Sequence, residues 1–540
     1  MLDRRAEDVT VNAELLTRLR DRDTSWSPSG VAFAASAPRM MARYDDAVRD
    51  LAACIKPAAG AEDILHEGGV YHGCWLESTG TINAELLSRF FPEVAKQTFL
   101  GFAAHQRADG LLPYKLTAEG PAFAQIQIVS PLARSVWTHY LTNGRDRAFL
   151  GTMYEAMVKN DAWLARWRDT RGTGGVEAFC CYDTGHDRSA RFWHVPDSPF
   201  GNDPKRYQPD HPTLPFVAPD LTANVACQRR YLALIAEELG ETGGAWRAQA
   251  QRSEHALFEE CWDDDDGIFY DLDRNGEHVR VQSDVLLRVL ACEIGDDEFF
   301  ATALRRYLLN TRKFFARFPF TSIALDDPRF DHAFGRNSWC GPTNFLSVIR
   351  AAHAFEAHGR HVELTWVFQP ILNALFHADR FGQTLSPFSG EMGFTEQYSP
   401  AILCLLDFVE RLSGIMPRPD GTLWFTGLVP REIERRDTQH ETAYARTVGG
   451  TRYELVNTST ESVALRAGAP LFRAPRGVRV VTGDAGALRS LIGMSVNDIE
   501  GTLTFAGADY PFRIAANEQL DLRDGGLRSV RKPGLVPITY

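Results

Sequence analysis

Between Cys180 and Trp193 the chain reads CCYDTGHDRSARFW, which places Asp183, His186, Asp187, Ser189 and Arg191 within nine residues. Polar clusters of this kind commonly form turns held by caps and surface ion pairs. This one is flanked by Phe179, Tyr182, Phe192 and Trp193, and a solvated turn has no use for four aromatic neighbours. It joins two segments of helical periodicity, at 146–169 and 219–239, so a chemically loaded loop is expected between two helices.

Working outward, helical spacing recurs at 38–55, at 82–106 with a break near Pro92, and at 126–143, 243–262, 282–293, 297–309, 341–358, 362–379 and 399–414. Many helices in succession, without βα alternation, predict helices paired into a ring or solenoid within one mainly α domain. No fixed period of about 20–50 residues is present, which argues against a tandem-repeat array. Near Pro417 the texture changes. MPRPDGTLWFTGLVP opens a stretch of PDG and GG turn signals and β-branched runs, TRYELVNTS, GVRVVTG and GTLTFAG. A small β-sandwich is expected over 416–540, buttressing the helices. The remainder divides into an N-terminal segment with the first helix (1–65) and the main helical body (66–415).

The 540 residues are 44% hydrophobic and 24% charged, enough for a large core. The net charge of -12, with no Lys/Arg-rich block, argues against nucleic acid or an anionic membrane as partner. A small neutral substrate fits better, and a homo-oligomer is left open. The start, MLDRRAEDVT, lacks the apolar core of a signal peptide, and no run approaches the ~18 apolar residues of a membrane helix, so a cytoplasmic location is expected. Nine cysteines, single apart from Cys180 and Cys181 and without CxxC spacing, read as reduced core residues. The DDDDG turn at 263–267 lacks the alternating ligands and terminal Glu of a calcium loop and reads as a solvated turn. With no phosphate loop, dinucleotide fingerprint or nucleophile elbow, neither cofactor nor metal is expected.

Two further loops resemble the first. HEGGVYHGCWLESTG (66–80) carries Trp75 and Glu77, and FGRNSWCGPTNF (334–345) carries Arg336, Asn337, Trp339, Asn344 and Phe345. Sugar recognition asks for this mixture: flat rings stack on pyranose faces while carboxylates and amides fix the hydroxyls. Any one of these tryptophans is equally at home in a core.

In these loops the sequence resembles the (α/α)6-barrel glycoside hydrolases related to trehalases (family 37) and to processing α-glucosidases and mannosylglycerate hydrolases (family 63). HDRSAR is similar to the signature W-D-x-S-x-R with His186 for Trp, and DTGHD to E-S-G-W-D with Asp183 for Glu. CWDDDDGIFYDLD (261–273) resembles W-D-x-x-D-G-x-Y-x-D. NSWCGPTNF resembles W-R-G-P-x-W, departing at Cys340 and Asn344. CWLES resembles the subsite segment W-x-W-D-S with Glu77 for Asp. Each match is weak alone, but the set lies in the family's order over about 65–414. It implies an (α/α)6 barrel, an inverting hydrolase of α-glycosidic bonds, and Asp187 as general acid.

The last match falls in FGQTLSPFSGEMGFTEQYSP (381–400). Pro387, Ser389, Gly390 and Glu391 correspond to P-x-T-G-E, and YSPAIL to the entry of the final helix. Counting back from Pro387 puts Gln383 where the resemblance calls for the catalytic glutamate. An amide cannot take a proton from water at neutral pH. Three explanations stand: an engineered Gln for a native Glu, a base relocated to Glu391 or Glu396, or a natural sugar binder without catalysis. Inversion calls for carboxyl groups about 6.5–9.5 Å apart. Trp75, Glu77, Tyr114, Lys115, Asp183, His186, Arg191, Arg336, Asn337 and Trp339 are the expected substrate contacts. A sugar isomerase or epimerase on the same scaffold is the alternative of another class. It would work through histidines, of which His72 and His186 are the loop candidates.

Overall fold

The computed structural model describes residues 12–58, 60, 62–431 and 440–540. Its first two-thirds are helical and its last quarter is β-sheet. Four helices, Pro38–Ala53, Pro92–Ala104, Pro219–Leu239 and Ser399–Ser413, carry proline in their first two positions, where the missing N–H costs no hydrogen bond. Arg147–Trp167 is started by the Asp146 carboxylate, which accepts from the Ala148 and Phe149 N–H groups at 3.0 and 3.1 Å.

Six helical segments form a closed cycle of packing. Ala84–Leu87 lies against Leu132–Thr142, which lies against Pro219–Leu239, and that against Val285–Leu290. Val285–Leu290 meets Ala351–Ala357. The adjoining Phe345–Val348 meets Ser399–Ser413, which returns to Ala84–Leu87. A second layer surrounds the cycle: Pro38–Ala53 and His361–His377 cover Ser399–Ser413, Pro92–Ala104 packs on Arg147–Trp167, and Gly244–Ala256 covers Pro219–Leu239. Every residue from Ser399 to Ser413 is buried, the charged Asp407, Glu410 and Arg411 among them. Phe408 of this helix stacks on Phe368 at 3.7 Å.

Most of these helices follow the periodicity, including the break before Pro92, but 126–143 and 282–293 are helical only over Leu132–Thr142 and Val285–Leu290. Two expected helices close in wide π turns at Leu257–Cys261 and Leu304–Leu308, and 341–358 divides at Ile349 and Arg350. The helix Ala13–Arg20 and the strand Ala32–Ala35 were not expected. The strand has no alternating pattern, and all four residues are buried. It is made by a distant partner, pairing antiparallel with 442–445. No described helix is long and apolar enough to cross a membrane. All nine cysteines are buried and unbridged.

The β region holds two antiparallel sheets. One runs, in spatial order, 32–35, 442–448, 451–457, 461–466, 469–475, 499–505, 508–514. The other runs 415–417, 422–426, 478–483, 488–493, 519–523, 526–531. They meet through Phe425, edge-on to Tyr453 at 5.8 Å and to Phe472 at 5.4 Å.

The end of helix 399–413 is tied to this region by buried ions. Arg411 pairs with Asp407 at 2.7 Å and with Glu356. Arg89 pairs with Asp407 and with Glu410 at 2.6 Å, and Arg446 reaches Glu410 at 2.9 Å. Arg479 donates to the Arg411 carbonyl at 3.2 Å and lies over Trp424. Removing one member of such a set leaves its partners charged and dry. Arg411→Ala is therefore expected to cost about 3–5 kcal/mol, read as a lowered urea midpoint, whereas Arg18→Ala, on an exposed pair with Glu14, should shift it by less than about 1 kcal/mol.

Candidate active site

Each loop with unusual chemistry enters the N-terminal end of a helix in the inner cycle: 66–80 before Ala84–Leu87, 180–218 before Pro219–Leu239, 334–344 before Phe345–Val348, and 381–398 before Ser399–Ser413. Short ladders stitch them together. Cys74–Trp75 pairs with Lys115–Thr117, and Thr343–Asn344 pairs with Thr384–Leu385. Gly68 and Gly69 have φ of +89° and +58°. A Cβ on them would lie 2.1 Å from the Gln397 carbonyl oxygen and from Thr395 Oγ1 respectively. Only glycine permits both this backbone and this approach, so the 66–80 loop is clamped onto the end of the 381–400 loop. Gly185, φ +66°, admits the Glu77 carboxylate, whose Oε2 lies 2.1 Å from where its Cβ would be. That contact brings Glu77 beside the loop carrying Asp187.

Asp187 is half-buried and accepts from Asn337 Nδ2 at 2.9 Å. Burial raises its carboxyl to about 6, against the lowering effects of Asn337, Arg288 and Arg188. Gln383 is 2% exposed, and its Oε1 accepts from Tyr71 Oη at 2.7 Å. The Tyr71 ring lies edge-on to Trp75 at 5.6 Å and 5.8 Å from the Tyr398 ring. Tyr398 Oη donates to Glu67 Oε1 at 2.6 Å. Glu67 is 2% exposed. Burial, opposed by the Tyr398 bond, together with repulsion from Asp187, raises it to about 8. Glu77 is pushed well above the carboxylate range by burial and by Glu67 and Asp187, even though Arg288 and Arg350 draw it down. Three acids thus share one poorly hydrated space.

Of the residues anticipated from sequence, Asp187, Gln383, Glu77, Asn337 and Trp75 lie in or against this cluster. Lys115 Nζ is 5.3 Å from the Trp75 ring and 5.7 Å from the ring of half-buried Tyr114, forming a rim. Trp339 is 1% exposed, between the Arg288 guanidinium at 4.9 Å and the His186 ring at 4.6 Å. His186 Nε2 meets Asp284 at 3.0 Å and Nδ1 accepts from Arg191 at 2.8 Å. Burial and Arg288 lower the imidazole to about 4, so it is neutral and fixed.

Other residues build the loops instead. Asp183 pairs with Arg168 at 2.7 Å and accepts from the N–H groups of Ile126, Phe179 and Cys180. Arg191 is forked between Asp220 and Asp271. Asp271 lies in the strand just after the acidic turn, whose Asp263 and Asp266 pair with Arg280. Arg336 is exposed and paired with Asp331. Glu391 is exposed and accepts from Ser389 Oγ at 3.0 Å, and Glu396 is also exposed. Glu67, Tyr71, Tyr398, Arg288 and Arg350 are not among the residues expected from sequence. Glu67 carried a signal, a carboxylate directly before two glycines in the Trp75 loop. The two arginines lie within apolar helical runs and show nothing of their direction.

The family model for the mannosylglycerate hydrolase MGH1-like glycoside hydrolase domain matches residues 72–400. Among solved structures, a GH63 mannosylglycerate hydrolase from Thermus thermophilus, in complex with Tris and D-glycerate, is 18% identical. It has a TM-score of 0.57 over 67% of this chain and 99% of that one. Neutral trehalase Nth1 from Saccharomyces cerevisiae is 12% identical with a TM-score of 0.50, covering 65% of this chain and 74% of its own. A GH78 family rhamnosidase of Bacillus sp. GL1 is 12% identical with a TM-score of 0.52, over 80% of this chain and 40% of that one. At these identities the likeness is one of fold. No curated protein matches significantly.

The raised carboxyls have a consequence for stability. Asp187 and Glu67 hold protons more tightly folded than unfolded, so the folded state is favoured by low pH. Their contribution is greatest below about pH 4, where both states are protonated, and is lost as pH rises through about 6 and about 8. Glu67→Gln removes the larger share while leaving Asp187, Glu77, Arg288 and the Tyr398 contact in place. The variant is expected to show a shallower fall of Tm between about pH 5 and 8 than its parent, checked by calorimetry across that range.

Proposed function

The chain belongs to the mannosylglycerate hydrolase MGH1-like glycoside hydrolases, and from that premise we propose that it hydrolyses an α-glycosidic bond of a small oligosaccharide or glycoside with inversion. The helices form an (α/α)6 barrel braced by a C-terminal β-sandwich, a reading supported by the cyclic packing of six inner helices and by the fold of the GH63 and trehalase structures. Asp187 is the general acid. The observation that carries this role is its setting: a carboxyl raised to about 6 by burial, held by Asn337, in electrostatic contact with two further buried acids. A carboxyl that keeps its proton up to about pH 6, above the range of an ordinary aspartate, can hand it to a departing glycosidic oxygen.

Trp75, with Tyr71 beside it, offers the apolar platform for a pyranose ring, and Lys115 supplies a cation at its edge. Mannosylglycerate, glucosylglycerate and trehalose are the first substrates to test. The alternative as an isomerase or epimerase working through histidine finds no support in His186, which is buried, neutral and held between Arg191 and Asp284. A sugar binder without catalysis rests on one observation, the amide at Gln383. It predicts binding of these sugars without turnover.

Asp187→Asn is expected to lower kcat/KM on a disaccharide by about 10²–10⁴-fold and to leave hydrolysis of a 2,4-dinitrophenyl α-glycoside, whose leaving group needs no proton, far less affected. NMR of the first-formed product should show the β-anomer. The α-anomer would rule out the inverting scheme.

A further inference from the structure

Inversion needs a base on the side facing Asp187, and the position the family fills with glutamate holds Gln383. The loop's two other carboxylates do not fill the role. Glu391 is exposed and engaged by Ser389, and Glu396 is exposed. One ionisable group does stand on the same wall as Gln383. Glu67 is fixed at the backbone by its N–H to the Gly73 carbonyl and by its carbonyl accepting from Ser399 N–H, both at 2.8 Å. The glycines that follow it lie directly on the backbone of 395–397. Its Oε1 is taken by Tyr398 at 2.6 Å. Its Oε2 is buried beside Thr79, with no protein donor in full hydrogen-bond geometry. A buried, unpartnered carboxylate oxygen is costly unless something else fills its second site, and a water is the simplest occupant.

Building on the glycosidase reading above, we propose that Glu67 is the catalytic base of this chain, its Oε2 accepting the proton of the attacking water, which the Gln383 amide helps to position. Gln383 Oε1 is occupied by Tyr71, leaving its NH₂ free to donate to the water oxygen. In the step itself, one O–H bond of water breaks and its proton goes to Glu67 Oε2. The water oxygen bonds to the anomeric carbon as the bond from that carbon to the glycosidic oxygen breaks, and the departing oxygen takes the proton held by Asp187. Return of one proton from Glu67 to Asp187 through solvent resets the pair.

Burial raises both carboxyls, and the Asp187 charge raises Glu67 further, so the two titrate as one coupled pair whose proton belongs to neither residue alone. The form that reacts carries that proton on Asp187 with Glu67 ionised. The groups facing the pair are Glu77, Tyr71, Tyr398, Asn337, Arg188, Arg288, Asp197 and Thr79.

The test uses 2,4-dinitrophenyl α-D-glucopyranoside and α-D-mannopyranoside with four proteins: the unmodified chain, Glu67→Gln, Glu67→Ala and Gln383→Glu. The unmodified chain is expected to hydrolyse at least one probe. Glu67→Gln should lose about 10²–10⁴-fold in kcat at unchanged KM and unchanged Tm at pH 5. Glu67→Ala should regain turnover with azide, a nucleophile that needs no deprotonation, and yield the β-glycosyl azide. A structural defect would not be rescued in this way. Activity of Glu67→Gln within about tenfold of the parent overturns the assignment, as does a Glu67→Ala that folds yet is not rescued by azide. Loss in Glu67→Gln on a disaccharide but not on the dinitrophenyl probes would make Glu67 an acid and likewise overturn it. An inactive unmodified chain revived by Gln383→Glu overturns Glu67 as base while leaving the glycosidase reading intact. Inactivity of both overturns both readings.

Discussion

A helix with no solvent face must find all its partners inside the molecule, and Ser399–Ser413 is such a helix. Apolar packing covers its flanks, but its polar ends need specific neighbours. At its C-terminal end Asp407, Glu410 and Arg411 are answered by Arg89, Glu356 and Arg446, which recruit the β region. At its N-terminal end the Ser399 N–H is answered by the Glu67 carbonyl and the Phe381 carbonyl receives Tyr398. One element therefore fixes both the attachment of the sheets and the approach of two site loops. The ion pairs at one end and the acids at the other are held in place by the same buried rod.

The two ends handle buried charge in opposite ways. Around Arg411 each acid meets a guanidinium, and burial is offset by pairing. Around Glu67 the acids outnumber what Arg288 and Arg350 neutralise. Arg350 is itself lowered to about 9 by burial and by Arg288, and it stays charged at neutral pH. An environment that leaves carboxyls uncompensated makes them hold protons near neutrality. That is unfavourable for stability and suited to proton transfer.

Much of this was legible in the sequence. The helices announced themselves by period, and the break at Pro92, the change of texture near Pro417 and the chemically loaded loops stand where the residues indicated. What escaped depends on distance along the chain. Ala32–Ala35 is a strand only because 442–445 lies beside it. Asp183 and Arg191 carry the right side chains for a site, yet Arg168, Asp220 and Asp271 turn them into struts. Glu67 sits in plain view beside two glycines. Its meaning appears only once those glycines are seen against the backbone of 395–397. Motif spacing reports which residue types are present, but not which of them are already paired.

All the loops of the site are rooted at one end of the inner helices, while the opposite end is closed by ion pairs and sheets. The molecule is thereby divided into a working rim and a foundation that share little beyond the helices between them. Exchange of a single loop, such as 105–131 with Lys115, changes what the rim presents without disturbing the charges that hold the base together. Such a scaffold can change its sugar by small, separable steps, each tolerated by a foundation that never meets the substrate.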